Sequence, residues 1–270
     1  MGPEALRFIV PFTGVDLAAV QVFPLIHGHA AVFTHRLEGS PRDNQDAALV
    51  IGHGGGPDVL VVADGSGDGS GDPDLGAEAA KVAVGAIVRG VIGGLADGLS
   101  ARQGVLAGFE VANERVVALG AGAATTLAAC EITGDQVRTY HVGHSRVLVC
   151  GQRGRNRFIT AVPTDAVNVV GDPAMEVQVS PNLRLGRRGT VVLGSDGLFA
   201  NLSHPEIIEH LRRGPLEGAM ASAIAAARGA MSQGAGSPDD LTLIAYRPHQ
   251  RASLPPLDPE ASMPPSDQGV

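Results

Sequence analysis

The chain has 270 residues, a formal net charge of −8, 44% hydrophobic residues, 3% aromatic residues and no tryptophan. That length carries one large domain with a substantial core, and the hydrophobic share excludes wholesale disorder. The charge is spread along the chain with no basic block, so nucleic acid is not an expected partner.

Cys130 and Cys150 are the only cysteines. Without a CxxC pair or a secretory framework, they read as reduced core residues of a cytoplasmic protein. They fall on two neighbouring predicted strands, which leaves a pairing between them open. Met1 to Leu6 lacks the basic start and apolar stretch of a signal peptide, and no run of about eighteen apolar residues occurs. The expectation is a soluble protein that does not engage a membrane.

Residues 1–27 are mixed and punctuated by proline, and read as an extension packed on or leading into the domain. Ala30 to His35 and Ala47 to Ile51 suit strands, joined by the polar turn Glu38 to Asp46. Residues 52–57, Gly-His-Gly-Gly-Gly-Pro, form a connection into Asp58-Val59-Leu60-Val61-Val62-Ala63-Asp64-Gly65. This is an apolar run of strand length that ends in an acidic residue and a glycine. Asp64 is too costly to bury unpaired, and Gly65 allows the backbone to turn and bring its carbonyl near whatever Asp64 binds.

A loop over 65–74 precedes two helices, one marked by Val84, Ile87, Val88 and Val91, the other by Val105, Phe109, Ala112 and Val116. Strands follow near 123–132, 136–142, 145–150, 157–161 and 175–180. The sentence then repeats in Thr190-Val191-Val192-Leu193-Gly194-Ser195-Asp196-Gly197. Ser203-His204-Pro205-Glu206 has capping-box spacing and opens a helix, and Leu216, Met220, Ile224, Ala227 and Met231 mark another. A last strand, Leu241 to Tyr246, follows Asp239-Asp240. The tail from Pro248 is rich in Pro and Ser and reads as disordered. Helices in pairs between runs of hairpin-connected strands favour an α+β fold with antiparallel sheets.

Asp46, Asp64, Asp196 and Asp239 each flank an apolar run. Carboxylates brought together repel unless cations neutralise them, and oxygen-only ligands favour Mg²⁺ or Mn²⁺. Two such ions can lower the pKa of a water and aim it at a phosphoryl group.

The sequence resembles the metal-dependent, type 2C (PPM-type) Ser/Thr protein phosphatases over residues 28–247. The resemblance rests on Asn44-Gln45-Asp46, Val61-Val62-Ala63-Asp64-Gly65-Ser66-Gly67 and Ala124-Thr125-Thr126. Further along come Val142-Gly143-His144-Ser145-Arg146, Leu193-Gly194-Ser195-Asp196-Gly197-Leu198 and Asp239-Asp240-Leu241-Thr242. It implies a four-layer α-β-β-α sandwich with a metal site between two antiparallel sheets. Asp46 and Asp64 would ligate metals, with Asp64 bridging two Mn²⁺ or Mg²⁺ ions. The Gly65 carbonyl would serve one ion, and Asp196 and Asp239 the other. The nucleophile would be a bridging hydroxide. The substrate would be phosphoserine or phosphothreonine in a protein, set against a Ser/Thr kinase, and the enzyme a cytoplasmic monomer.

Four departures accompany the resemblance. His144 stands where the family carries an aspartate of a third metal site, and an imidazole weakens such a site for Mg²⁺. Arg42, the candidate phosphate-binding residue, lies one residue closer to Asp46 than the family's arginine and would reach a phosphate if the turn is one residue tighter. Ser66 replaces the His or Met that often follows the Asp-Gly, and the 161–189 flap looks short. These favour, as the alternative, a weakly active or inactive phosphatase-like domain that serves as a binding module. Two other readings carry less. Gly143-His144-Ser145 starts like a nucleophile elbow, and His53-Gly54-Gly55-Gly56 like an oxyanion loop, but Val147 occupies the place of the second glycine. A calcium loop from Asp64 fails at Leu75, where a bidentate Glu is required. Asp68, Asp72 and Asp74 then read as solvated charges, and Arg146 as the partner of a local carboxylate.

Overall fold

The computed structural model describes residues 6–67, 74–120, 122–151, 155–162 and 168–249. The remainder of the 65–74 loop, with Asp68 and Asp72, and the tail from 250 lie outside the described residues.

Two antiparallel sheets stack face to face. The first contains β1 (Leu6–Thr13), β4 (Asp46–His53), β5 (Asp58–Ser66), β6 (Ala124–Thr133), β7 (Gln136–Val142) and β10 (Gln178–Val179) in that order, with β11 (Leu183–Arg184) also on β7. The second runs β2 (Gln21–Pro24), β3 (Gly28–His35), β13 (Leu241–Pro248), β12 (Thr190–Gly194), β8 (Arg146–Cys150) and β9 (Asn156–Ile159). Helices α1 (Leu75–Ala96) and α2 (Ala101–Leu119) cover the outer face of the first sheet. The short α3 (Asp196–Phe199), α4 (His204–Leu211) and α5 (Leu216–Ser232) cover the second. The result is the expected α-β-β-α sandwich.

The alternation along β4 and β5 explains why these strands are apolar without a break. Ala47, Leu49, Ile51, Val59, Val61 and Ala63 pack beneath the helices. Ala48, Val50, Leu60 and Val62 face the other sheet. Both faces are buried, so neither tolerates polar residues. The same parity assigns Asp46 and Asp64 to the inter-sheet side. α1 is long and apolar enough to cross a membrane by length and composition, but Ala79, Ala80, Ala83, Val84 and Ile87 lie buried in the core under it.

Residues 6–27 pack on the domain and contribute an edge strand to each sheet, β1 against β4 and β2 against β3. Two expectations change. Cys130 and Cys150 are free and buried, and they belong to different sheets rather than neighbouring strands. The strand expected over 175–180 shrinks to Gln178–Val179. The reason is local: the Glu176 N–H donates to Asn168 Oδ1 at 3.0 Å and the Glu176 carbonyl accepts Asn168 Nδ2 at 2.8 Å, which diverts both groups from a ladder. Pro248 ends β13, and His249 donates its N–H to the His27 carbonyl. The helix starts read correctly: the Glu206 carboxylate accepts the Ser203 N–H at 2.8 Å and its hydroxyl at 2.6 Å.

Candidate metal centre

Asp46 opens β4 and Asp64 lies near the end of β5, and the two are direct cross-strand partners. Asp196 arrives from the second sheet. β12 ends at Gly194, Ser195 caps α3, and Asp196 is the first helical residue. Its N–H reaches Asp64 Oδ2 at 3.4 Å, so both Asp-Gly sequences meet at one end of the sandwich. Asp239 stands just before β13 and interacts electrostatically with Asp196, Asp64 and Asp46.

A chain of buried hydroxyl and amide groups joins the sheets beneath these carboxylates. The Ser195 hydroxyl donates to Asp46 Oδ2 at 2.8 Å and accepts the Thr242 N–H at 3.1 Å. Thr242 Oγ1 lies 2.6 Å from Thr34 Oγ1, which accepts Asn44 Nδ2 at 2.9 Å. Asn44 Oδ1 in turn accepts the Asp46 N–H at 3.0 Å. This ring fixes Asp46 from both its backbone and its side chain. Thr125 Oγ1 donates to the Asp64 carbonyl at 2.9 Å, and Thr126 Oγ1 meets Ser145 Oγ at 2.6 Å across the sheets. Ser145 is fully buried in that contact, which removes it as a nucleophile.

Neither Asp-Gly is the turn that its sequence suggests. β5 runs on through Gly65 to Ser66, and Gly65 pairs with Thr125. What demands glycine is proximity: a Cβ on Gly65 would overlap the Gly76 carbonyl oxygen at the start of α1. On Gly197 it would overlap the Asp240 carbonyl oxygen. The missing side chains bring the first turns of α1 and α3 against the site.

Asp240 is a buried carboxylate that sequence reasoning passed over. Its Oδ1 accepts the Leu37 N–H and its Oδ2 the Gln45 N–H, each at 2.7 Å. Both oxygens are committed to closing the loop that ends at Asp46. The adjacent Asp239 accepts the Asp240 N–H at 2.8 Å and interacts with Asp196, so it is the member of the pair that can serve a cation. The signal was present as the Asp-Asp dipeptide, but only the loop geometry separates the two roles.

Burial holds the Asp46 and Asp64 carboxyls well above the usual carboxylate range, opposed at Asp46 by the Ser195 hydrogen bond and reinforced by neighbouring carboxylates. Asp239 is pushed up to about 7, first by burial and then by Asp196. Asp196 Oδ1 is buried with no hydrogen-bond partner among the described residues. A concentrated, partly desolvated set of oxygen donors with an orphaned carboxylate oxygen fits hard divalent cations. Among the described residues, no group of three His, Cys, Asp or Glu side chains by itself forms a metal-holding set. Water and backbone oxygens would complete the coordination.

The remaining candidates lie further out. Arg42 is exposed and bonds through its main chain: its N–H donates to Ser40 Oγ at 3.2 Å and its carbonyl accepts Arg36 Nη1 at 3.3 Å. His144 is exposed in the bend between β7 and β8. Arg146 pairs in register with Gly194, and its guanidinium lies 5.8 Å from the Phe199 ring centroid and 3.4 Å from His204 Nε2. Asp196 attracts it, yet it forms no ion pair among the described residues, contrary to expectation.

No family model and no curated protein matches the chain by sequence. Solved structures do match. The S. agalactiae serine/threonine phosphatase has a TM-score of 0.67 at 20% identity, over 82% of this chain and 99% of that one. The Mycobacterium tuberculosis serine/threonine phosphatase PstP/Ppp has a TM-score of 0.64 at 19% identity, over 83% of this chain and all of that one, 100%. A structure of the PstP catalytic domain with two manganese ions gives a TM-score of 0.61 at 18% identity, over 83% of this chain and 99% of that one. The chain therefore has the fold of the PPM-type Ser/Thr phosphatases.

Proposed function

We propose that this protein is a divalent-metal-dependent phosphatase that removes phosphate from phosphoserine or phosphothreonine in proteins, opposing a Ser/Thr kinase as a cytoplasmic monomer. The observation that carries the reading is the convergence of Asp46, Asp64, Asp196 and Asp239 from four separated segments, with Asp196 Oδ1 left unpartnered among the described residues. The phosphatase neighbours, one of them with two manganese ions, support the same chemistry.

Asp46, Asp64, Asp196, Asp239 and the Gly65 carbonyl would hold two Mn²⁺ or Mg²⁺ ions. Bound there, the ions would supply Lewis acidity, an activated water and neutralisation of phosphoryl charge. The chain's own residues set up that chemistry. Ser195 holds Asp46 Oδ2, which leaves Oδ1 for the site. Thr125 fixes the backbone that carries Asp64. Asp240 closes the 37–45 loop so that Asp46 arrives in place. Protons on the raised carboxyls must leave before cations bind, so metal uptake should strengthen as pH rises.

A binding module is the second reading, favoured by the exposed Arg42, whose hydrogen bonds run to Ser40 and Arg36 rather than to the carboxylates. Hydrolysis of a small aryl phosphate decides between them. Turnover with Mn²⁺, lost with chelator and in folded Asp196→Asn, supports the phosphatase. A folded wild type that is inert with every divalent ion supports the module.

A further inference from the structure

Two cavities lie along one side of α5, and their common wall is Arg228. The outer one, about 440 Å³, is lined by Ala18, Ala19, Val20, Ala221, Ile224 and Ala225 among others. The inner one, about 360 Å³, is lined by Leu37, Met231, Pro238, Leu241, Arg36 and Asp239 among others. The α5 positions 221, 224, 225, 228, 231 and 232 recur at helical spacing and form one continuous side of a groove. The groove is largely apolar, and its inner end is Asp239, a candidate ligand of the metal centre.

Arg228 faces both cavities. Its guanidinium lies 5.2 Å from the Phe33 ring centroid, and Nη1 stands 3.3 Å from Glu38 Oε1. Nη2 is buried and has no hydrogen-bond acceptor among the described residues. The side chain as a whole stays 33% exposed where it lines both cavities, so a passing peptide carbonyl can meet the accessible part of the guanidinium.

We infer that this groove docks an extended, apolar segment of the phosphoprotein substrate, next to the phosphorylated residue. The inference rests on the phosphatase reading and names the substrate feature that the site selects. Contact with Asp239 fixes the occupant: a segment seated there ends beside one carboxylate of the cluster. From Ala221 to Met231 α5 advances about 15 Å at about 1.5 Å per residue. An extended peptide covers that distance in about four to five residues at about 3.3 Å each. The preferred substrate therefore carries two apolar side chains about four to five residues apart on one side of the phosphoresidue. A main-chain carbonyl between them accepts from Arg228.

The test uses the full Mn²⁺-loaded chain with two probes, p-nitrophenyl phosphate and a synthetic twelve-residue phosphothreonine peptide with leucine at both anchor positions. Ala221 and Ala225 are exposed, so Ala225→Trp fills the outer cavity without disturbing the core. The ratio of peptide to aryl-phosphate kcat/KM should fall at least tenfold in Ala225→Trp, and similarly in the wild type when both leucines become aspartate. Arg228→Met, with an unchanged melting temperature as a fold control, should lower the same ratio through KM. Equal ratios in all arms, with aryl phosphate still hydrolysed, overturn the groove alone. No hydrolysis of either probe by folded wild type overturns the phosphatase reading and the groove with it. Loss of the Trp effect on removal of residues 250–270, with faster peptide turnover, assigns the groove to the chain's own tail and overturns the proposal.

Discussion

Asp64→Asn should stabilise the metal-free protein and destabilise it relative to wild type once Mn²⁺ is present. Asp46 and Asp64 face each other directly across β4 and β5. Opposed residues place their Cβ atoms about 5 Å apart. Two unit charges at that distance repel by about 3 kcal/mol at an effective dielectric of about 20. Burial and repulsion already keep protons on part of this pair, so the relief from neutralising one member is smaller, roughly 1–2 kcal/mol. The substitution keeps an oxygen for the Asp196 N–H and leaves the Ser195 bond to Asp46 untouched. In a chain of this size the melting temperature in EDTA should rise by about 3–6 °C. Saturation with Mn²⁺ at about a hundred times its dissociation constant stabilises wild type by about 2.7 kcal/mol, whereas Asp64→Asn should gain little. Circular-dichroism melts at pH 7.5, in EDTA and in Mn²⁺, should therefore cross in order. If the Asp64→Asn variant melts below wild type in EDTA, or if both proteins gain equally from Mn²⁺, the carboxylates are not a repelling cation cage.

Gly197→Ala should be destabilising by about 3 kcal/mol or more, because overpacking against rigid backbone exceeds the usual range for core additions; its Cβ would overlap the Asp240 carbonyl oxygen. Urea denaturation checks this, and a loss below about 1 kcal/mol would mean that α3 and the start of β13 separate freely. Asp240→Ala should cost about 2–4 kcal/mol, since it leaves the Leu37 and Gln45 N–H groups without their carboxylate acceptors. Wild-type stability in urea would show that the 37–45 loop holds itself closed. The metal-free protein should also become less stable between pH 5 and pH 7.5. Asp239 is raised from 3.8 to about 7 in the fold, so its contribution is fully present below its unfolded value and lost as pH rises through the folded one. Asp46 and Asp64 act in the same direction, against the smaller opposite effect of His29, His141 and His204, which desolvation holds below the usual imidazole range. Urea midpoints in EDTA at pH 5, 6 and 7.5 should fall in that order, and a rising series contradicts the electrostatics.

The strands that position the site were legible because burial on both faces leaves a continuous apolar signature, as in Val59 to Ala63 and Val191 to Leu193. Their terminal aspartates stood out against those runs. β1 and β2 were hidden because they are edge strands with only partial burial, broken by Pro11, Gly14 and Pro24. Gly65 was singled out for a turn, whereas the need is close approach to Gly76, and Gly197 meets Asp240 in the same way. Thr34 carried no local signal that distinguished it from ordinary polar residues, and the Asp-Asp dipeptide did not say which of its members closes the loop. Their roles arise only when segments about 200 residues apart meet, as Thr34 and Thr242 do. Likewise, nothing along α5 announces a groove, because its facing wall comes from residues distant in sequence, such as Ala18 to Val20 and Arg36 to Glu38.

The central claim is that Asp46, Asp64, Asp196 and Asp239 cage two divalent ions between the sheets. Anomalous diffraction from crystals grown with Mn²⁺ tests it most directly. Two manganese peaks flanking Asp64, one served by Asp46 and the other by Asp196 and Asp239, are the expected result. No peak beside Asp64 at saturating Mn²⁺, or manganese bound only elsewhere on the chain, would contradict it.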